Sequence, residues 1–262
     1  MPHLYVIDIE TSGEGDDLEV IEIGGQCLPD TQPDILDPFP DPPWVKFSRL
    51  CKPERPITAE TSAVHHITDW HVSPEPPVQT VLTDMLSGFA DNHPVFVAHN
   101  AEFESAALDP LMALNRGEEF SPFWICTYKL ALTLFPASPT FKNAGLFYHL
   151  GIFNTNPIYW SDFFAAHPLH RAWPDAVVTS ELLKVFLKYL PIEDMIEISS
   201  KPALLVRIPF GRQKGQPWAD ADVGFLEWVL DRDFDGDVMH TARHYHNKYL
   251  VEQKAQDKGD AQ

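Results

Sequence analysis

Asp8 and Glu10 stand two residues apart in the run HLYVIDIE, so on a strand both carboxylates point to one face. An Asp-x-Glu pair is common by chance. Here, though, the two acids replace apolar residues at the end of a run whose composition is that of a buried strand, where an unpaired charge is costly. Glu104, in FVAHNAEFE, falls in the first turn of an expected helix; the helix dipole and a ligand role account for an acid there equally well. His170 and Asp175, in HRAWPDA, are five apart across the start of another helix. Asp175 can then face a cleft from the first turn, with His170 on the mobile loop before it. A loop histidine is ordinarily a surface residue, but beside an attacking water an imidazole can act as general base near neutral pH. Four carboxylates within a few Å repel one another unless cations stand between them. Two Mg²⁺ would set four positive charges against four negative ones. Metal-assisted cleavage of a phosphodiester is the chemistry such a set could perform.

The overall charge argues against a protein that coats nucleic acid. Lys and Arg number 19 against 38 Asp and Glu, a formal charge of −19, whereas phosphate backbones are gripped by cations. Residues 1–190 hold 10 basic and 25 acidic residues, residues 191–262 hold 9 and 13, so the acidity collects where the carboxylate set lies. A short-footprint enzyme that reaches its substrate through metals tolerates this. No run approaches the roughly 20 apolar residues of a membrane span, and the N-terminus lacks the basic and apolar blocks of a signal peptide. Cys27, Cys51 and Cys126 form an odd, scattered set suited to buried thiols in a reducing compartment, which points to the cytoplasm.

The elements that must position the acids can be read from composition. HLYVIDIE, VIEIGGQC, WVKFSRLC, PVFVAH and FWICT read as five strands, with a turn at Gly13–Asp17. Helices fit VQTVLTDMLSGFA, residues 101–115, YKLALTLF, FKNAGLFYHLGI and a long span from Trp173 to Tyr189 with Pro174 in its tolerant first turn. Along 101–115 the apolar positions are Phe103, Ala106, Ala107, Leu111 and Leu114. Residues 28–44, with six prolines and four aspartates, suit an exposed extension. Strands first, then alternating helices and strands, predict an α/β fold with a mixed sheet. Pro191 and the polar stretch EDMIEISSKP suggest a boundary near 191–205.

VIDIETSG, FVAHNAEFE and HRAWPDA, in this order and spacing, resemble the DEDD superfamily of 3′→5′ exonucleases in its histidine subtype. The resemblance covers roughly residues 3–190, and ITAETSAVHHIT matches a segment those enzymes carry between the first two motifs. Within the superfamily, FWICTYKLALTLFP and LHRAWPDA point to the exodeoxyribonuclease X branch and its epsilon-type proofreading relatives. The resemblance implies an RNase H-like mixed sheet flanked by helices, followed by a small C-terminal module. It implies 3′→5′ hydrolysis with two Mg²⁺, or Mn²⁺, as cofactors. Carried over residue by residue, Asp8 would bridge both metals, Glu10 and Asp175 would complete the nucleophile side, and Glu104 would serve the leaving-group side. His170 would deprotonate the attacking water. The family has Asp where this chain has Glu104; Mg²⁺ demands ligands at about 2.0–2.1 Å in near-ideal octahedra, so the second site is expected to weaken or to favour Mn²⁺.

The same resemblance implies substrate contacts from Thr11, His65, Asn100 and Phe103. Considered as residues, His65 could equally be a helix-end surface group, Phe103 and Tyr5 could be core, and His99 with Asn100 could cap or orient a helix. The implied partners are single-stranded 3′ ends, DNA ahead of RNA, with a polymerase or repair protein as a further partner and no membrane. An RNA-directed exonuclease and a catalytically weakened, polymerase-associated binding subunit are the alternatives.

Three domains follow: residues 1–190 as the exonuclease domain, 201–250 as a small module and 251–262 as a polar tail. Lys201, Arg207, Arg212 and Lys214 lie in a stretch from Ile198 to Ala219 that has no acid, with Phe210 and Trp218 interleaved. Such a pattern suits single strands, or equally a solvated hairpin turn. Two decoys are set aside. DRDFDG (Asp231, Asp233, Asp235) imitates a calcium loop, but its twelfth position is Ala242 where a bidentate Glu belongs. His240, His244 and His246 lack a metal-binding partner in register.

Overall fold

The structure, a computed structural model, describes residues 3–13, 15, 18–28, 46–87, 89 and 92–259, and side chains as far as 253. Apart from Leu28, the proline-rich stretch 28–44 lies outside the described residues, as does part of the turn at 13–17. By contact the chain divides into two units, Met1–Tyr128 with Ser138–Ile196, and Lys129–Ala137 with Glu197–Gln262. Residues Lys129–Ala137, internal to the first domain in the sequence reading, thus pack in the second unit.

Five strands form the sheet of the first unit: β1 (Leu4–Thr11), β2 (Val20–Leu28), β3 (Lys46–Leu50), β4 (Val95–Ala98) and β5 (Phe123–Cys126), in the order β3-β2-β1-β4-β5. β1 pairs antiparallel with β2 and parallel with β4, so the sheet is mixed. Three short helices, α1 (Ala59–His65), α2 (Asp69–Val72) and α3 (Val78–Leu86), carry the chain from β3 to β4. α4 (Ala101–Arg116) then crosses over to β5. Beyond it come α5 (Thr127–Leu134), α6 (Asn143–His149), α7 (Pro157–Ala166) and α8 (Ala172–Phe186). α9 (Ile192–Ser199) occupies the polar stretch read as a boundary. α1, α2 and α7 have no counterpart in the sequence reading, because seven-residue or shorter helices and an aromatic-rich one give little periodicity.

The two faces of β1 have different neighbours. Tyr5, Ile7 and Ile9 join Val81, Leu82, Met85, Leu108 and Met112 in one apolar cluster, which places α3 and α4 on that side. The alternate residues, Val6, Asp8 and Glu10, share their face with Gln26, Gly24 and Glu22 of β2, their cross-strand partners. α8 covers this second face, where Gln26 Nε2 donates to Ser180 Oγ. Gly24 permits it: a Cβ there would lie 2.1 Å from Trp173 N and 2.3 Å from Ala172 C. A glycine inside a strand commonly marks such a close backbone approach.

One expectation about α4 is corrected. Its buried residues are Ala101, Glu104, Leu108 and Met112, while Phe103 and Leu114 are exposed. Of the apolar positions read along it, Ala107 and Leu111 do pack against the core, whereas Phe103 and Leu114 do not. The buried stripe at 3.6 residues per turn contains an acid at position 104, where hydrophobicity alone would not have put one.

In the second unit, α10 (Val223–Leu230) pairs with α11 (Gly236–Gly259), which continues as helix through residues read as a polar tail. Phe210 stacks on Phe234 at 4.4 Å and lies 6.2–6.4 Å from Trp218, Phe225 and Trp228, forming an aromatic core. The acids of the calcium-like stretch have other work. Asp235 Oδ1 accepts from Val238 N at 2.9 Å, capping α11, and Asp237 Oδ1 accepts from Ala203 N at 2.7 Å. Among the described residues no helix is long and apolar enough to cross a membrane.

Candidate active site

Asp8 and Glu10 project from the α8-facing side of β1, and Asp175 reaches them from the first turn of α8. Each of the three offers an oxygen within 4.8 Å of the others. Glu104, in the first turn of α4, is buried, and its Oε2 has no hydrogen-bond partner among the described residues. A buried carboxylate oxygen without a donor is costly unless a cation or proton satisfies it.

The electrostatics record this crowding. Burial raises Asp8 well above the usual carboxylate range, and Glu104, Asp175, Glu10 and Glu22 add repulsion. Burial likewise pushes Glu10 up to about 8, with Asp175 and Glu22 reinforcing it and Arg171 opposing. Glu104 is pushed up to about 8 by burial. Asp175 rises to about 6 through burial, held lower than the others by the His170 side chain and its backbone N–H. The hard oxygen donors of Asp8, Glu10 and Asp175, packed this closely, fit a divalent cation, while Glu104 stands outside that close group and bears on it through its charge on Asp8.

His170 is exposed on the loop before α8, in a left-handed conformation with φ 61°. Its N–H donates to Asp175 Oδ2 at 3.1 Å. Thr11, His65 and Phe103 line one cleft of about 340 Å³ together with Glu10, Gly13, Gly15, Thr61 and Val64. Phe103 is 38% and Val64 50% exposed, so Phe103 is not the core residue that was one of its alternatives. His65 is buried, which excludes the surface alternative. Its Nδ1 accepts from Ile67 N at 2.9 Å, so Nε2 carries the proton and donates to Thr11 O at 3.3 Å. Burial lowers its pKa, in keeping with a neutral ring. Both nitrogens are thus engaged by backbone. Asn100 is the N-cap residue of α4 but makes no side-chain cap bond, and it is not among the cleft residues. His99, half-buried and lowered to about 4 by desolvation, donates from Nε2 to Phe141 O at 2.8 Å.

Sequence reasoning missed Glu22 and Arg171. Glu22 lies opposite Glu10 in the β1–β2 register and is buried. Its carboxylate accepts from Arg171 Nε at 2.9 Å, Arg171 Nη2 at 2.7 Å and Ala172 N at 3.1 Å. The signal was available, since an acid inside the apolar run VIEI is the same anomaly that drew attention to Asp8 and Glu10.

With this geometry in view, comparisons with known proteins become informative. A family model described as an exonuclease, RNase_T, matches residues 5–183. Exodeoxyribonuclease 10 of Escherichia coli strain K12 is 28% identical over 251 residues, covering 92% of this chain and 98% of that protein. The DNA polymerase III epsilon subunit of Treponema pallidum is 28% identical over 185 residues, or 70% and 75% of the two chains. Among solved structures, exonuclease X in complex with 5′-overhanging duplex DNA superposes with a TM-score of 0.50 at 24% identity, covering 75% of this chain and 99% of that one. A full-length 3′-exonuclease gives a TM-score of 0.51 at 14% identity, covering 71% and 82%. Both likenesses are of fold, and they match the five-stranded mixed sheet flanked by helices that was expected.

Proposed function

The chain belongs to the RNase_T exonuclease family, and we propose that it hydrolyses DNA from 3′ ends using two divalent cations, with His170 as general base. The observation that carries this reading is the convergence of Asp8, Glu10 and Asp175 oxygens within 4.8 Å, with Glu104, whose buried Oε2 has no partner among the described residues, acting on Asp8 through its charge. Asp8, Glu10, Glu104 and Asp175 would hold the cations. When bound, these would neutralise the cluster and stabilise charge on the attacking and leaving oxygens.

The protein's own groups do the rest. The cleft flanked by Phe103 and Val64 has the size of a small-ligand site and would seat the terminal nucleotide, an exposed aromatic ring offering a stacking surface for its base. His65 fixes the Thr11 carbonyl at the cleft wall. His170 would take a proton from water as its oxygen bonds to the terminal phosphorus. The bond from phosphorus to the 3′ oxygen of the preceding nucleotide breaks, releasing a mononucleotide and a new 3′ hydroxyl. Preference for DNA rests on the relative named an exodeoxyribonuclease. Polymerase association rests on the epsilon relative and is proposed only as a secondary role.

The second unit would contact the strand through its hairpin. Ile208 N donates to Gln216 O and Gly215 N to Ile208 O, while Gly211 and Gly215 adopt positive φ, presenting Arg212 and Lys214 at an exposed tip. The deciding assay incubates the purified chain with 3′- and 5′-labelled DNA and RNA oligonucleotides, with Mg²⁺, with Mn²⁺ and with chelator. Metal-dependent shortening of DNA from its 3′ end is expected. Preferential shortening of RNA would favour the RNA-directed reading, and binding without shortening the weakened subunit.

A further inference from the structure

We propose that the Glu22–Arg171 pair positions His170 and thereby sets the rate of hydrolysis; the inference rests on His170 acting as the base. Glu22 is a fifth carboxylate beside the cluster, directly across from Glu10 in the sheet. Both of its oxygens are taken by the guanidinium fork of Arg171, and one also by Ala172 N. The bidentate geometry is what a planar guanidinium supplies and an ammonium cannot.

The fork anchors the residue between His170 and the first residue of α8. Just beyond it, the backbone of Ala172 and Trp173 lies against Gly24 so closely that no Cβ fits. On the other side, the His170 N–H is held by Asp175 Oδ2 at 3.1 Å. His170 is therefore bracketed by two carboxylates on different elements, Glu22 on β2 and Asp175 on α8. A left-handed backbone is disfavoured for a residue with a Cβ, and φ 61° at His170 persists because its own N–H and the side chain of the next residue, Arg171, are both tied. Releasing one tie would let the loop relax and carry the imidazole away from the cluster. Arg171 is thus a positioning residue. Two of its three guanidinium nitrogens, Nε and Nη2, are held by Glu22, and the KM readout separates positioning from contact with substrate phosphate.

The test is a double-mutant cycle on the full-length chain, read with a 3′-labelled DNA oligonucleotide and Mg²⁺. Glu22→Gln and Arg171→Lys are each made in the parent and in the His170→Ala background. In the parent background each should lower kcat by about 10–100-fold with KM little changed, the scale of a misplaced catalytic group. In the His170→Ala background neither should cause a further loss, because the group they position is gone. Arg171→Lys keeps the charge, so the cycle remains readable if Glu22→Gln folds poorly. Losses that add to that of His170→Ala would overturn the proposal, as would a raised KM with kcat intact, which would make Arg171 a substrate contact. If His170→Ala is itself harmless, the general-base reading fails and this proposal with it. If His170→Ala is crippling while Glu22→Gln and Arg171→Lys are active, this proposal alone fails.

Discussion

Glu104 is the side chain on which the proposed second cation depends, and its departure from the family's aspartate is testable directly. Its Oε2 is buried and has no partner among the described residues, which leaves that oxygen free for a cation. Glu104→Asp should raise activity in Mg²⁺ more than in Mn²⁺, because Mg²⁺ is the stricter about ligand geometry. Equal loss with both metals would mean that the surrounding backbone has adapted to glutamate. Asp8 makes the complementary case. Four neighbouring acids raise it after burial does, so Asp8→Ala should abolish cleavage, by on the order of 10³-fold or more, yet raise the melting temperature of the chelated protein. Residual cleavage within about tenfold of the parent would remove Asp8 from the site.

At the scale of elements, the contact between β2 and α8 governs the site, since α8 carries Asp175 and the loop before it carries His170. Gly24→Ala places a Cβ 2.1 Å from Trp173 N, and two rigid backbones must separate to admit it. The expected cost is about 1–3 kcal/mol of stability, measured by denaturant unfolding, together with a loss of cleavage larger than that destabilisation explains. Wild-type activity in a stable Gly24→Ala protein would show that the α8 approach is not what sets the site. The strands themselves were legible because β1 and β2 are covered on both faces and read as near-continuous apolar runs. The buried face of α4 was legible only in part: Ala107 and Leu111 pack on the core, but Glu104 lies on it and Phe103 does not.

For the whole molecule, the acidic cluster makes stability depend on pH and on metal together. Glu10 and Glu104 titrate near 8 and Asp175 near 6 when folded, above the ordinary carboxylate values near 4. Between those limits the folded chain binds more protons than the unfolded one, so stability falls as pH rises. The chelated protein should therefore melt progressively lower from about pH 4.5 to pH 8, and Mg²⁺ should flatten or reverse the trend in that window. A melting temperature that climbs with pH in chelator would contradict the cluster's energetics. The second unit has its own signature. Lys201 is paired with Glu197 and Arg207 Nη1 donates to Gly215 O, while the exposed side chains of Arg212 and Lys214 at the tip have no partner among the described residues. Replacing both with Ala should make the salt dependence of single-strand binding shallower by about 1.4 in log–log slope, two phosphates at roughly 0.7 each. An unchanged slope would assign the hairpin to a protein partner.

The sequence alone determined which residues could do the chemistry. Acids inside apolar strands, and an acid–histidine pair at a helix start, are anomalies that folding energetics does not ask for, so they stand out without a structure. The sequence also determined the five strands, because period-two and buried-run patterns are local, and the order of strands and helices along the chain implied a mixed sheet. Tertiary structure decided what depends on residues far apart in the chain. It decided that Glu22 faces Glu10, that Arg171 answers a residue 149 positions away, and that His65 is buried with its tautomer set by Ile67 and Thr11. It also decided that Asn100 is the N-cap of α4 and is not among the residues lining the cleft. Register and side-chain pairing across elements arise only when strands and helices pack, and no local pattern in the chain encodes them.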